Sequence, residues 1–320
     1  MTSKKFFRIL VFLLMIIILD QVTGRIIRHL YFTQKTGATC SLNYVFTECT
    51  AQILILGNSR AQHHYDTQII TDSTRMSCFN AGQDGGHSIF LPYAQVEVIL
   101  KRYAPRIIIL EFDPASVECH SEDYEKLSIL LPYYSIYPDL RPLIRKRSWF
   151  EEEKHLSAIY PFNSNLVNIL RYNTNSNAAR KKDLNGYLPM NDRVIDKNYL
   201  KQSSVQPNKV SDFDTNKLTA LKNIIQLCQQ HNVFLLIANS PKFSYHLENQ
   251  HSLSVPERHS LAIIHHEKVI FLDFSNDPVF AGRTDLFADR NHLNLKGATY
   301  YSAVIAGWIK KNSTVFFHHS

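Results

Sequence analysis

The longest unbroken apolar stretch of the chain, Ile9 to Leu19, follows Lys4, Lys5 and Arg8 and is closed by Asp20-Gln21. A basic start followed by an apolar run is the pattern of an export signal. The run falls short of the roughly 20 residues of a spanning helix, but Phe6, Phe7 and Val22 extend it at the interfaces. Residues 1–30 therefore read as a signal anchor with a juxtamembrane helix. The expectation is a single pass through the cytoplasmic membrane, with the main domain outside the cytoplasm. The basic amino terminus favours that orientation, although Arg25 and Arg28 weaken the asymmetry. Cleavage near Val22-Thr23-Gly24, leaving a secreted or periplasmic protein, is the alternative. Tyr31 to Gln52 reads as a loop-rich linker.

Beyond the linker the pattern changes to short aliphatic runs alternating with helical periodicity. Ile53-Leu54-Ile55-Leu56 breaks at Gly57-Asn58-Ser59-Arg60, as a buried strand of a parallel sheet does. Strands are also expected at Met76 to Phe79, Arg106 to Phe112, Val233 to Ala238 and Val269 to Phe274. Helices are expected at Ala61 to Ile70, Ser88 to Tyr103, Asp212 to His231, Pro256 to His266 and Leu295 to Lys311, where apolar residues recur at helical spacing. This alternation predicts an α/β fold in residues 53–312. It is a three-layer α/β/α domain around a central, mostly parallel five-stranded sheet. An irregular insertion over 115–207 interrupts it, and 313–320 form a tail.

Composition changes that picture little. A chain of 320 residues, 45% hydrophobic, can bury a full core. The net charge of +7 is spread along the chain, apart from Arg141 to Arg147 and Arg180-Lys181-Lys182. Those runs read as solvated loop faces, with attraction to anionic polymers or membranes as the other reading. No zinc-finger spacing, RNA-binding aromatic motif or basic helix points to nucleic acid. The five cysteines form no CxxC pair. In an exported chain Cys40 and Cys49 are the best disulfide candidates, and two unlinked thiols fit equally well. Adjacent histidines such as His63-His64 do not readily face one metal, and no HExxH spacing occurs, so neither metal nor cofactor is expected. Nothing in the sequence sets an oligomeric state.

Candidate chemistry lies where strands end. Ser59 follows the first strand; a serine there is commonly a helix cap, but the carboxyl rim of an open α/β sheet is also where ligands bind. The glycine-rich loop Asn80-Ala81-Gly82-Gln83-Asp84-Gly85-Gly86 follows the second strand and brings backbone N–H groups to that rim. Asp289 and His292 stand three apart just before the last helix, so they share a face on a turn. A carboxylate beside an imidazole fixes its tautomer and favours its cation, as the base serving a serine nucleophile requires.

These blocks resemble, in order and spacing, the SGNH/GDSL hydrolase superfamily of serine esterases and acyltransferases. Gly57-Asn58-Ser59-Arg60 stands for its first block, Asn80-Ala81-Gly82 for its second and Asp289-Arg290-Asn291-His292-Leu293-Asn294 for its last. The resemblance spans about Ile53 to Trp308 and implies a flavodoxin-like fold. It implies Ser59 as nucleophile, His292 as general base and acid and Asp289 as its orienting partner. The N–H groups of Ser59 and Gly82 would form the oxyanion hole. The sequence departs from the family where a third block supplies an Asn: the third strand ends in Glu111-Phe112-Asp113-Pro114. An ionised Asp113 would repel an oxyanion, so Asn58, Asn80 and Asn239 are the candidates for the missing donor. Arg60, Gln83 and Asp113 are expected on the substrate rim. Asn58 itself replaces the Asp of many members. These departures resemble membrane-anchored, cell-envelope branches acting on acylated glycans.

The expected partner is an acylated carbohydrate or another small ester, with the membrane engaged through the amino terminus. The leading reading is an extracytoplasmic serine esterase. An envelope polysaccharide O-acyltransferase with the same triad is the second reading, and a non-catalytic glycan-binding or assembly protein is the third. A Gly-x-Ser-x-Gly α/β-hydrolase fits less well, because Ala61 replaces the second Gly and Ser59 precedes most of the sheet.

Overall fold

The structure is a computed structural model and describes residues 3–34, 38–174, 185–191, 193–195, 212–244 and 252–312. The basic run Arg180-Lys181-Lys182 and the tail 313–320 lie outside the described residues. The chain divides into two compact units, Met1–Asn43 with Glu122–Lys181, and Tyr44–Ser121 with Lys182–Ser320.

The second unit holds the sheet. Strands β1 (Ile53–Leu56), β2 (Cys78–Asn80), β3 (Ile107–Glu111), β4 (Phe234–Asn239) and β5 (Ile270–Asp273) lie in the order β2-β1-β3-β4-β5. All neighbouring strands are parallel, with Ile53 opposite both Cys78 and Ile107. The sheet is thus wholly rather than mostly parallel, because each connection is a crossover carrying helix. In β1 and β3 every residue is buried, which is why their sequence runs aliphatic without alternation.

The helices are α3 (Ser59–His64), α4 (Thr67–Thr74), α5 (Phe90–Ile99), α7 (Thr215–Gln230), α8 (Val255–His266) and α9 (Leu295–Lys311). Ile53, Ile55, Ile107, Ile109 and Leu236 pack in one cluster with Ile70 of α4 and Tyr301, Ile305 and Ile309 of α9. Pleating turns the alternate residues to the other face, the side taken by α5 and α7, which pack together. The expected helix over Ala61 to Ile70 is broken in two. Tyr65 and Asp66 are extended, and the Asp66 carboxylate caps α4 by accepting from the amides of Gln68 and Ile69. The crossovers from β1 to β2 and from β2 to β3 run in opposite directions, so the carboxyl ends of β1 and β3 flank a topological switch point.

The first unit contains α1 (Ser3–Phe32), of which Lys4–Phe32 is long and apolar enough to cross a membrane. Its later turns are tied to the 122–181 segment. Asp20 accepts from Ser157 Oγ at 2.6 Å and Ala158 N at 2.7 Å, and Tyr31 packs against Tyr133 and Phe162. The helix α6 (Leu166–Thr174) joins it through Asn173 Nδ2, which donates to the Leu30 carbonyl. The expected loop over 31–52 instead contains α2 (Ala38–Thr47). Leu42, Val45 and Phe46 recur at helical spacing there and are buried, which favours a helix over a loop. All five cysteines are free: Cys40 Sγ hydrogen-bonds the Gln34 carbonyl and Cys49 Sγ meets the Tyr103 hydroxyl.

Candidate active site

Gly57 lets β1 end in a turn that no side-chain-bearing residue would make. Its φ is +146°, and a Cβ would stand 2.8 Å from Glu111 Cβ and 2.9 Å from the Glu111 carbonyl oxygen. The chain then enters α3, whose N-cap is Asn58; its Oδ1 accepts from Arg60 N at 3.0 Å. Ser59 is thereby the first residue of α3, and its amide, like others in a first helical turn, has no helical acceptor.

Three elements meet at that hydroxyl. His292 Nε2 lies 2.8 Å from Ser59 Oγ, and His292 Nδ1 lies 2.9 Å from both carboxylate oxygens of Asp289. Asp289 Oδ1 also accepts from the amides of Asn291 and His292, which locks the turn. Partial burial acts to raise the Asp289 pKa, but hydrogen bonds from the His292 ring and those amides outweigh it and hold the carboxyl below its ordinary value. Asp289 is thus an anion facing Nδ1, so the neutral ring carries its proton on Nδ1 and presents a bare Nε2 to Ser59. Such a pair can take the serine proton as the oxygen attacks an electrophile.

A buried polar frame holds this arrangement. His64 is fully buried, and its Nε2 accepts from the amide of Leu293, next to His292. A backbone amide can only donate, so the His64 proton sits on Nδ1 and is given to Ser240 Oγ at 2.7 Å. Ser240 Oγ donates in turn to Glu111 Oε1 at 2.8 Å. Burial, with the nearby Arg60, His292 and His63, pushes His64 well below its ordinary pKa, so it stays neutral. Glu111 is paired with Arg60 at 3.1 Å, the two side chains 0% and 6% exposed. Arg60 Nη1 also donates to Asn239 Oδ1 and the Ser240 carbonyl. His63 adds a ring edge against His292, with its Nδ1 donating to the Leu188 carbonyl.

The residues singled out in the sequence fall into different places. Ser59, Asp289 and His292 come together. Arg60 turns inward, and Gln83 is also buried. Asp113 binds Lys242 and lies 3.9 Å from Arg60. Burial tends to raise its pKa, but Lys242 and Arg60 hold it below the ordinary value. Gly82 approaches α3 closely, since a Cβ there would stand 2.6 Å from Gln62 N. Its N–H is engaged by Asn80 Oδ1 at 3.0 Å. Asn80 Nδ2 is spent on the Ala61 and Tyr65 carbonyls, and Asn239 Nδ2 on Asp273. Among the described residues, the Ser59 amide and Asn58 Nδ2 are the donors of this set without an acceptor. Asn58 also lines a cavity of about 30 Å³ at the switch point, with Ser88, Glu111 and Asp113.

The sequence reading missed His64, Ser240, Glu111 and Lys242. Glu111 left one signal, a charged residue closing an aliphatic strand. Among the described residues no cluster of His, Cys, Asp and Glu could hold a metal ion.

No family model matches the chain. No curated protein matches it either. Among solved structures, the chain is similar to the crystal structure of an acetyl xylan esterase, AlAXEase, at 12% identity and a TM-score of 0.36. That likeness covers 82% of this chain and 99% of that one.

Proposed function

We propose that the protein is a serine esterase of SGNH type, held at the cytoplasmic membrane by α1 with its catalytic unit outside the cytoplasm. The observation that carries this reading is the unbroken line from Asp289 through His292 to Ser59 Oγ, with hydrogen-bond distances of 2.9 and 2.8 Å. In the proposed reaction His292 Nε2 takes the Ser59 proton as Oγ attacks the ester carbonyl. The tetrahedral oxyanion is met by the Ser59 amide and Asn58 Nδ2, and such donors are each worth about 3 kcal/mol in the transition state. His292 then protonates the leaving alcohol, leaving an acyl group on Ser59. Water, deprotonated by the same imidazole, releases it. The space beside Asn58 is small, a cavity of about 30 Å³, and O-acetyl esters of envelope polysaccharide are the substrate class proposed.

The test is labelling of the purified full chain with a fluorophosphonate probe and hydrolysis of a p-nitrophenyl acetate ester. Both are expected for the natural chain and absent from Ser59→Ala. Hydrolysis that survives this substitution would falsify the reading. A sugar hydroxyl replacing water at the second step would make the same site an acyltransferase, and product analysis with acyl donor plus glycan separates the two.

A further inference from the structure

Within the first unit, the end of α1 forms one wall of a second cavity, of about 490 Å³. Gly24, Arg25 and Arg28 face it from α1, on one side of the helix as residues three and four apart do. Arg141, Tyr134 and His155 face it from the 122–181 segment. Arg28 Nη1 donates to Ser135 Oγ at 2.8 Å, and Arg141 Nε to the Tyr134 carbonyl at 3.1 Å. Among the described residues none of the three arginines has a carboxylate within ion-pair distance. The nearby acid, Asp20, is spent on Ser157 and Ala158. His155 brings no compensating charge, since burial lowers its pKa to about 4. Three uncompensated guanidinium groups around one cavity form a site for an anion with several acceptor oxygens.

Its height on α1 selects the anion's source. Arg25 stands six residues past Leu19, where the apolar run ends, or about 9 Å along the helix. The headgroup layer extends roughly 5–8 Å beyond the hydrocarbon, within reach of a long arginine side chain anchored at that height. Leu156, 80% exposed, is held about one helical turn nearer the hydrocarbon by Gln21 Nε2, which donates to its carbonyl. Trp149 of the same unit is 93% exposed. We propose that this cavity binds the phosphate headgroup of an anionic phospholipid from the leaflet in which α1 ends. The proposal rests on α1 crossing the membrane and is independent of the chemistry at Ser59.

The experiment is native mass spectrometry of the full chain released from detergent containing equal amounts of phosphatidylglycerol and phosphatidylcholine. One phosphatidylglycerol should be retained in preference to phosphatidylcholine. Arg28→Gln and Arg141→Gln should each weaken that retention about tenfold. Arg171→Gln should leave it unchanged, because Arg171 is exposed on α6 and does not line the cavity. Circular dichroism checks the fold of each variant. Where a glutamine variant does not fold, the lysine variant at that position keeps the charge without the fork and should hold the lipid less tightly than the natural chain. Equal retention of both lipids, or retention unchanged in the cavity variants, overturns the proposal. Displacement of the lipid by excess inorganic phosphate overturns the lipid as occupant. Alkaline extraction of membranes separates the remaining failure. A chain released by alkali defeats the anchor reading, whereas an embedded chain without lipid preference defeats the cavity alone.

Discussion

At the scale of single residues, the site turns on which hydrogen-bonding atoms remain uncommitted. Asn58 uses its oxygen to cap α3 and keeps its nitrogen free, so the two roles can be separated. Asn58→Asp preserves a capping oxygen and replaces the donor by a charge that opposes an oxyanion. Its kcat for ester hydrolysis is expected to fall about 10²- to 10³-fold, with the thermal midpoint nearly unchanged. A full-rate Asn58→Asp chain would remove Asn58 from the proposed oxyanion hole. His64 is a positioning residue of a different kind, reaching His292 only through the Leu293 amide. His64→Leu deletes that acceptor, and a displacement of the order of 1 Å costs about 10²-fold. His64→Gln can still accept from Leu293 and should recover part of kcat, with KM similar in both. Equal kcat in the two variants would mean that His64 serves packing alone.

At the scale of elements, Gly57 decides how β1 hands the chain to α3. Gly57→Ala forces a side chain into a positive-φ turn and against Glu111, and is expected to cost roughly 1–3 kcal/mol by chemical denaturation. A neutral result would mean that the turn relaxes. Most of the elements were legible, because buried parallel strands read as aliphatic runs and helix faces as apolar periodicity. All five strands and the closing helix Leu295–Lys311 fall within a few residues of their expected bounds. The break at Tyr65-Asp66 was not legible, since Asp66 looks the same in sequence as a solvated helical residue. The Ser59, Asp289 and His292 constellation could be read because all three follow strand ends or precede a helix. The frame beneath it could not. His64, Ser240 and Glu111 lie far apart along the chain and meet only when β1, β3 and β4 align, and sequence spacing carries no record of that register.

At the scale of the whole molecule, the two units are expected to lose stability in separate acid windows. His155, stacked on Tyr134 in the first unit, has its pKa lowered to about 4. Burial is the main cause. Arg147, Arg141 and Lys154 act in the same direction, and Glu151 opposes them. The unfolded chain takes up this proton near pH 6.5, whereas the folded one refuses it until about 4. The stabilising contribution is therefore present above about 6.5 and is lost as the pH falls to about 4. Asp113, in the second unit, is held below its ordinary value despite burial by Lys242 and Arg60. Its contribution is present above about pH 3.9 and is lost only as the pH falls through the lower folded value. Thermal melting of the full chain between pH 7 and pH 4 should thus show a decline that His155→Gln flattens and Asp113→Asn leaves in place. Below pH 4 the ranking should reverse, with Asp113→Asn converging on the natural chain as the carboxylate it lacks becomes protonated. A decline between pH 7 and 4 that is identical in His155→Gln would place the acid sensitivity elsewhere. The comparison is one of slopes, so the loss of stacking on Tyr134 shifts the variant's whole curve without disturbing the test.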